Sequence, residues 1–501
     1  LKKKQLLLAS GIYFVVGLLV TVLRLHYGKY DMYMLVSLGL IILFSILLYF
    51  SDHKSFRFVL VMVGVVEIAI SSYLMLDRIG MRSNIYSNYV TENQELFDHL
   101  PASVKSKRIA KNYFLNNDRG ESYAFNYKGA EIFSSNNDPK ISKLYANLGL
   151  SAYGYYYFYK TGTVVTDAIF NIGGFIDNSL PSQSISPEYI SYGLRDDLKN
   201  NPILLKEKQY TAYRTDTLPL VFAGNLSNNL KFKSDDPVYN QNLVLNSLTQ
   251  TQGNVLTYSP KVAKIKVTDS ELNQEKKKFT VTRTSDKEGS VTFTFDGLKP
   301  KETAYVQFGK DLMGFADPLT TYHATQDRNN KPELSITINK KDVRLQPQVK
   351  QLIGVRANQK GQVQIKWSLA GNKRILTSEI PRLVNINSTL LRSKVSQVNN
   401  KKQMHLTTFR DNYLSGKINT TKNENLVTTI PYSRGWKVKV DGKPVKVSRT
   451  LNVFIGLNMK PGKHTVVMRY RTPGLLIGVI TSIIGIILLV VFNGYLEKKK
   501  Y

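Results

Sequence analysis

The run Ile430-Pro-Tyr-Ser-Arg-Gly-Trp436-Lys-Val-Lys-Val-Asp-Gly442-Lys-Pro-Val-Lys-Val447, with the apolar segment 474–492 a little further on, decides how the whole chain is read. In the run, apolar and polar residues alternate on both sides of Asp441-Gly442, the pattern of two half-buried strands joined by a tight turn. Segment 474–492 carries no charged side chain. At about 1.5 Å per residue it extends about 28 Å, enough to cross a hydrocarbon core about 30 Å thick. The alternative is a buried helix of a soluble protein, which rarely lacks any polar face over this length. Glu497, Lys498, Lys499 and Lys500 beyond it read as a cytoplasmic anchor, which places the hairpin on the outer side of a membrane.

Outward from this junction, three more apolar runs lie near the other end, at about 6–23, 32–50 and 58–76. With Lys2 to Lys4 inside, the first run exits near Arg24 and the second returns to a loop holding Lys54 and Arg57. The third exits near Asp77, and the last span brings the chain back in. The expected organisation is three transmembrane helices in 1–77, an extracytoplasmic mixed α/β region in 78–260 and a β-sandwich-like region in 261–383. A helix plus terminal β unit in 384–473, a transmembrane helix in 474–494 and a basic tail in 495–501 complete it. Within the third region the strand signals are Phe279-Thr-Val-Thr, Ser290-Val-Thr-Phe-Thr-Phe, Ala304-Tyr-Val-Gln-Phe, Leu334-Ser-Ile-Thr-Ile and Val363-Gln-Ile-Lys-Trp367. Short alternating strands at this spacing point to a sandwich or jelly roll. The fold class is therefore α+β: transmembrane helices plus a large extracytoplasmic domain that ends in β units.

A chain of 501 residues is too long for one core. Its net charge is +31, its pI about 9.8 and its mean hydropathy −0.20, the last because a large polar region dilutes the apolar spans. A basic chain favours anionic neighbours such as lipid headgroups or a phosphate-rich surface polymer. Nucleic acid, the other common partner of a basic chain, does not fit the membrane topology. There is no cysteine, so disulfides and thiolate metal sites are excluded. The histidines, His26, His53, His99, His323, His405 and His464, show no ligand spacing, so no metal site is supported. No G-x-x-x-x-G-K-[ST] loop, H-E-x-x-H helix or G-x-S-x-G elbow is present, which removes support for nucleotide-driven chemistry and serine hydrolysis. No cofactor is evident, and the sequence stays compatible with a divalent cation.

The terminal unit Ile430-Pro-Tyr-x-x-Gly435-Trp436-x-Val-x-Val-Asp-Gly442-Lys-x-Val resembles that of the bacterial YfhO-like membrane proteins. Gly462-Lys-His-Thr-Val-Val-Met-Arg-Tyr470, Phe133-Ser134-Ser135-Asn136 and Asp236-Pro237-x-x-Asn-Gln241-Asn242 belong to the same likeness. The resemblance implies a polytopic glycosyltransferase of the GT-C kind, which takes a sugar from a polyprenyl-phosphate carrier on the outer face of a bacterial plasma membrane. It passes the sugar to a cell-envelope polymer such as lipoteichoic acid. It also implies more spans than the chain shows and a catalytic carboxylate in the first outer loop, so the chain reads as the C-terminal part of a longer protein. The competing expectation is a non-catalytic envelope protein that binds polymer or a partner.

Single residues offer weaker signals. Glu67 lies inside the third span, where an ionisable group is costly and marks either function or helix packing. Asp77 and Arg78 stand at the outer mouth of that span and suit either a carrier phosphate and sugar or an ordinary charged boundary. Asp31, between Tyr30 and Tyr33, sits where a general base could reach an acceptor hydroxyl, and equally where an aromatic belt would place it. Tyr155 and Tyr157, in the run Tyr153 to Tyr159, could stack on sugar rings or simply fill a core. Trp436 reads as a strand anchor or a binding residue.

Overall fold

A computed structural model describes residues 3–26, 32–50, 53–79, 83–115, 120–154, 156–178, 189–191, 195–309, 334–343, 345 and 349–498. The chain divides into two compact units, Leu1–Asn88 and Tyr89–Tyr501.

The first unit is built on the helices Lys3–His26, Met32–Tyr49 and Lys54–Ile79, which coincide with the three apolar runs. In a hydrocarbon phase a helix is the way a single segment satisfies its own backbone, so an apolar run of this length takes that form. Among the described residues, Lys54–Tyr73 here and Leu475–Tyr495 in the second unit are long and apolar enough to cross a membrane. Gly11–Val22 and Ser37–Tyr49 are shorter apolar helices. The apolar side chains point outward, Val61 at 63% and Ile68 at 64% exposure, as lipid-facing surfaces do. The first two helices pack where Gly17 meets Leu38: a Cβ at Gly17 would come within 2.8 Å of Leu38 Cδ2.

The second unit is layered from helices and sheets. Its first part holds a four-stranded sheet ordered Arg108–Lys111, Ile172–Asn178, Tyr210–Arg214, Ile203–Glu207, whose first pair is parallel. The helix Pro237–Thr249 starts where Asp236 accepts from Tyr239 N at 3.1 Å and proline occupies the first turn, so Asp236-Pro237 is a helix cap. It buries Val244, Leu245 and Leu248 in the core of this part.

All the strand signals of the middle region fall on strands: Lys278–Arg283, Gly289–Phe295, Thr303–Phe308, Leu334–Ile338 and Val363–Leu369. Their inward residues meet around the fully buried Trp367, with the rings of Phe279, Phe293 and Phe308 at 5.4, 5.5 and 5.7 Å. Strand pairing crosses the expected boundary at 260, because Leu256–Tyr258 pairs with Arg382–Ile386. The sheet so formed is a shared wall. From the strand Thr303–Phe308, Tyr305 enters the core of the first part while Val306 and Phe308 enter the core around Trp367. Residues 384–386 are strand, so the helix expected from about 384 starts later, as Ser388–Lys401, with Asn387 accepting from Leu390 N at 3.0 Å. Its buried Lys394 donates from Nζ to Asn246 Oδ1 (2.7 Å), Thr251 Oγ1 (2.8 Å) and Gln252 O (2.6 Å), which ties this helix to the earlier part.

The terminal run forms the hairpin read from its alternation. Trp436–Val440 pairs antiparallel with Lys443–Val445, and Asp441 (φ 50°) and Gly442 (φ 80°) make a turn with both central residues left-handed. The hairpin closes a five-stranded sheet ordered His405–Arg410, Tyr413–Thr420, Gly462–Tyr470, Trp436–Val440, Lys443–Val445. A neighbouring sheet pairs Val221–Gly224 with Asn425–Pro431, so the first and last parts of the unit are also joined by backbone hydrogen bonds.

Candidate functional site

A cavity of about 200 Å³ lies where the terminal sheet meets the first part of the second unit, lined among others by Arg108, Lys128, Phe409, Arg410, Asp411 and Trp436. Arg108 opens the strand Arg108–Lys111. Its guanidinium donates from Nη1 to Phe170 O (2.7 Å) and Thr429 Oγ1 (2.8 Å), and from Nη2 to Thr429 O (2.7 Å). These acceptors are neutral, so they fix the group without cancelling its charge. Burial pulls Arg108 below the usual guanidinium range, opposed by the hydroxyls of Tyr145 and Tyr157. Lys128 places Nζ 4.8 Å from the Phe409 ring centroid, a cation held on an aromatic face. Phe409 and Arg410 end the strand His405–Arg410, and Asp411 begins the turn after it, where it is exposed.

Trp436 supplies the flat wall. It is half-buried, and its ring lies 5.4 Å from that of Tyr470, its partner in register on the strand Gly462–Tyr470. Gly435 before it permits this packing, since a Cβ there would collide with the Arg471 carbonyl and the Tyr470 ring. Arg471 N donates to Gly435 O at 3.0 Å. The helix Leu475–Lys498 begins directly after this segment, so the wall of the cavity is hydrogen bonded to the stretch of chain that enters the candidate span. Cations beside an aromatic plane, next to such a helix, suit an anion that carries a ring: charge is met by Arg108, Lys128 and Arg410, and a sugar face by Trp436.

The residues singled out from the sequence fall in different places. Trp436 lines the cavity. Tyr157, on the strand Tyr156–Tyr157, packs its ring tilted against that of Tyr145 with centroids 4.6 Å apart, its hydroxyl pushed up to about 12 by burial and held back by Arg108. Arg108 thus links Tyr157 to the cavity that Trp436 lines. Glu67 accepts from Ser71 Oγ at 2.8 Å, one turn along its own helix. Asp77 and Arg78 fall in the last turn of Lys54–Ile79, with side chains outside the described residues, and Asp31 and Tyr155 lie outside them altogether. Among the described residues no group of three His, Asp or Glu side chains could hold a metal ion.

Sequence reading passed over Arg108, Lys128, Phe409 and Arg410, which look like ordinary strand and loop residues until distant segments converge. It also passed over a buried network. Arg195 pairs with Asp167 (Nη2 to Oδ2, 2.5 Å) and Asp197 (Nε to Oδ1, 3.0 Å), all three side chains at most 1% exposed. Tyr305 donates to Asp197 Oδ2 at 2.8 Å, and Tyr159 lies 2.8 Å from Asp167 Oδ1. Burial lifts Asp197 above the usual carboxylate range against the pull of Arg195. Of the tyrosine run, Tyr159 is therefore a structural member. A second cavity of about 220 Å³ adjoins Asp197, but its Arg392 pairs with Asp216 at 3.4 Å, so it lacks the uncompensated cations of the first.

Residues 1–482 match the family model described as bacterial membrane protein YfhO. An uncharacterized protein YfhO of Bacillus subtilis (strain 168) is 32% identical over 89 residues, 18% of this chain and 10% of that protein, so the matched stretch spans about a tenth of the relative's length. A crystal structure of a conserved protein of unknown function from Pseudomonas aeruginosa PAO1 aligns with 42% of this chain and 93% of its own. Its identity is 7% and its TM-score 0.11, too low to inform the fold. With a model match over nearly its whole length, the chain belongs to the YfhO family of bacterial membrane proteins.

Proposed function

We propose that this chain takes part, on the outer face of the bacterial plasma membrane, in moving a sugar from a polyprenyl-phosphate carrier to an anionic envelope polymer such as lipoteichoic acid. In this reading the chain is multi-pass, both its ends are cytoplasmic, and its sandwich-like layers are extracytoplasmic. The observation that carries the proposal is the cationic and aromatic cavity around Arg108 and Trp436, hydrogen bonded to the segment that enters the last candidate span. Such a site offers a lipid-linked sugar phosphate its two complementary surfaces at the depth where its headgroup would emerge.

The test is the sugar-to-phosphate ratio of the isolated polymer in cells lacking the gene, restored with the full reading frame either unchanged or carrying Trp436→Ala or Arg108→Gln. Deletion should remove the sugar, the unchanged frame should restore it, and each variant, inserted at equal level, should restore under about a tenth, an effect near 1.4 kcal/mol. Sugar that persists in the deletion strain overturns the proposal. One feature favours a non-catalytic polymer-binding role instead: the carboxylate lining the cavity, Asp411, is exposed, which is poor placement for a general base. Unchanged sugar together with lost polymer retention would select that reading.

A further inference from the structure

The outward face of the terminal sheet carries a charge pattern that the fold alone does not require. Register places Lys437 and Lys439 of one strand, Arg469 and Lys463 of the next, and Lys417 and His405 beyond them on the same side, opposite the buried Val438, Val466, Met468 and Leu414. None of the five strands contains an aspartate or glutamate. One pair sets two cations directly against each other, Lys437 with Arg469, and the imidazole of His405 stands opposite Lys417. Like charges directly opposite destabilise a sheet, so the arrangement works against folding and calls for another cause. Several buried or half-buried lysines of this unit are each met by a carboxylate, Lys111 by Glu121, Lys160 by Glu131, Lys199 by Asp177 and Lys350 by Glu379, whereas no carboxylate stands on these strands.

Along the strand, Lys463 and Arg469 are about 20 Å apart at roughly 3.3 Å per residue. A single headgroup or phosphate covers only part of that length, whereas a chain molecule with repeated negative charge matches it. At one corner the edge of the sheet joins the face to the cavity: Arg410 pairs with Tyr413, which is on the cationic side, and also lines the cavity, whose Leu414 and Trp436 belong to the other side of the sheet.

We infer that this face is a binding track for a linear polyanion, along which the polymer lies with one end at the Arg108 and Trp436 cavity. The inference rests on the proposed function only for which polyanion is met in the cell; the binding itself stands apart from sugar transfer. Neutralising the opposed cations would relieve their repulsion as well as hold the polymer, and the release of condensed counterions makes such binding steeply salt-dependent.

The test uses the full 501-residue chain in nanodiscs of neutral lipid and fluorescent linear polyphosphate as probe, titrated across salt. One variant combines Lys417→Gln, Lys437→Gln, Lys439→Gln, Lys463→Gln and Arg469→Gln. A control variant removes as many exposed cations from other sheets and loops: Lys266→Gln, Lys276→Gln, Lys277→Gln, Lys287→Gln and Lys360→Gln. The expected result is weaker binding by more than about tenfold and a flatter salt slope for the face variant, with a change under about twofold for the control. Equal loss in both variants shows that only net charge matters and overturns the track. So does selective loss of binding to anionic-lipid vesicles with polyphosphate binding unchanged, since the face would then serve the membrane. Both variants carry exposed changes, and an unaltered melting transition confirms that each is folded. Face-dependent polyphosphate binding combined with unchanged polymer sugar in deletion cells would leave the track standing and remove the transferase reading.

Discussion

His464 and Asp441 show how one contact at the turn of the terminal hairpin senses pH. The imidazole has an acceptor at each nitrogen, Asp441 Oδ2 at 2.7 Å from Nδ1 and Lys460 O at 2.9 Å from Nε2, so the doubly protonated ring satisfies both. The Asp441 hydrogen bond, with Lys460 O and the aspartate charge behind it, raises His464 above its ordinary 6.5, and the same hydrogen bond draws Asp441 below 3.8. A raised histidine stabilises fully below its unfolded pKa and loses that contribution as pH climbs through the folded value. A lowered aspartate contributes above its unfolded pKa and loses that contribution as pH falls through the folded one. The hairpin contact is therefore complete between about pH 4 and 6.5 and weakens on either side. An NMR titration of His464 in the full chain should give a midpoint above 6.5 that drops in Asp441→Asn; a midpoint unmoved by that change would remove the coupling. At this scale the sequence was legible in part. Asp441-Gly442 announced its turn and Trp436 its importance, because turn chemistry and aromatic burial are local. Arg108 gave no sign, because its worth comes from Thr429 and Phe170, which only the fold brings to it.

Among elements, the alternating strands were readable because one face of each must be buried. A slip of one residue would send Phe279, Val281, Phe293 and Ile365 into water, so the pattern specifies both strand and register. Which strands would pair was not readable. Val221–Gly224 finds Asn425–Pro431, and Leu256–Tyr258 finds Arg382–Ile386, through long-range packing that leaves no mark in either segment alone. The Arg195 network belongs to these joins. Tyr305 reaches through the shared wall to Asp197, its hydroxyl also accepting from Val164 N at 2.8 Å, so strand, loop and helix are held by one buried set of charges. Removing one member leaves the others buried and unpaired, a loss of about 3–5 kcal/mol. Arg195→Leu should therefore unfold the second unit at clearly lower denaturant, while the triple change Arg195→Leu, Asp167→Leu, Asp197→Leu, which leaves no buried charge, should recover much of the loss. Denaturant unfolding of the three proteins decides this, and equal loss in the single and triple variants would show that the charges matter only for their shape.

For the whole molecule, the sign of the charge on each side of the membrane poses a conflict. Lys54, Arg57 and the lysines after residue 497 argue for a cytoplasmic side, yet Lys437, Arg469 and Arg471 crowd the opposite end of the last apolar helix. The positive-inside bias acts through short loops, and long domains translocate largely regardless of their charge. The second unit, Tyr89–Tyr501, is far beyond loop length, so its basic terminal sheet need not oppose an outer location. Its charge is then free to answer to a partner, which is how a +31 chain can hold neutralised lysines in one part and an unrelieved cationic face in another. The absence of cysteine from these 501 residues makes their topology directly measurable through introduced thiols. In the full reading frame stripped of any other cysteine, Lys443→Cys at the hairpin should react with a membrane-impermeant maleimide on intact cells. Ser55→Cys between the second and third apolar runs, and Lys500→Cys in the tail, should react only after the membrane is opened. Labelling of position 55 on intact cells would invert the first unit, and protection of position 443 would place the terminal sheet inside. In that second case no envelope polymer could reach the face of Lys437 and Arg469, and both the transfer and the track would fall together.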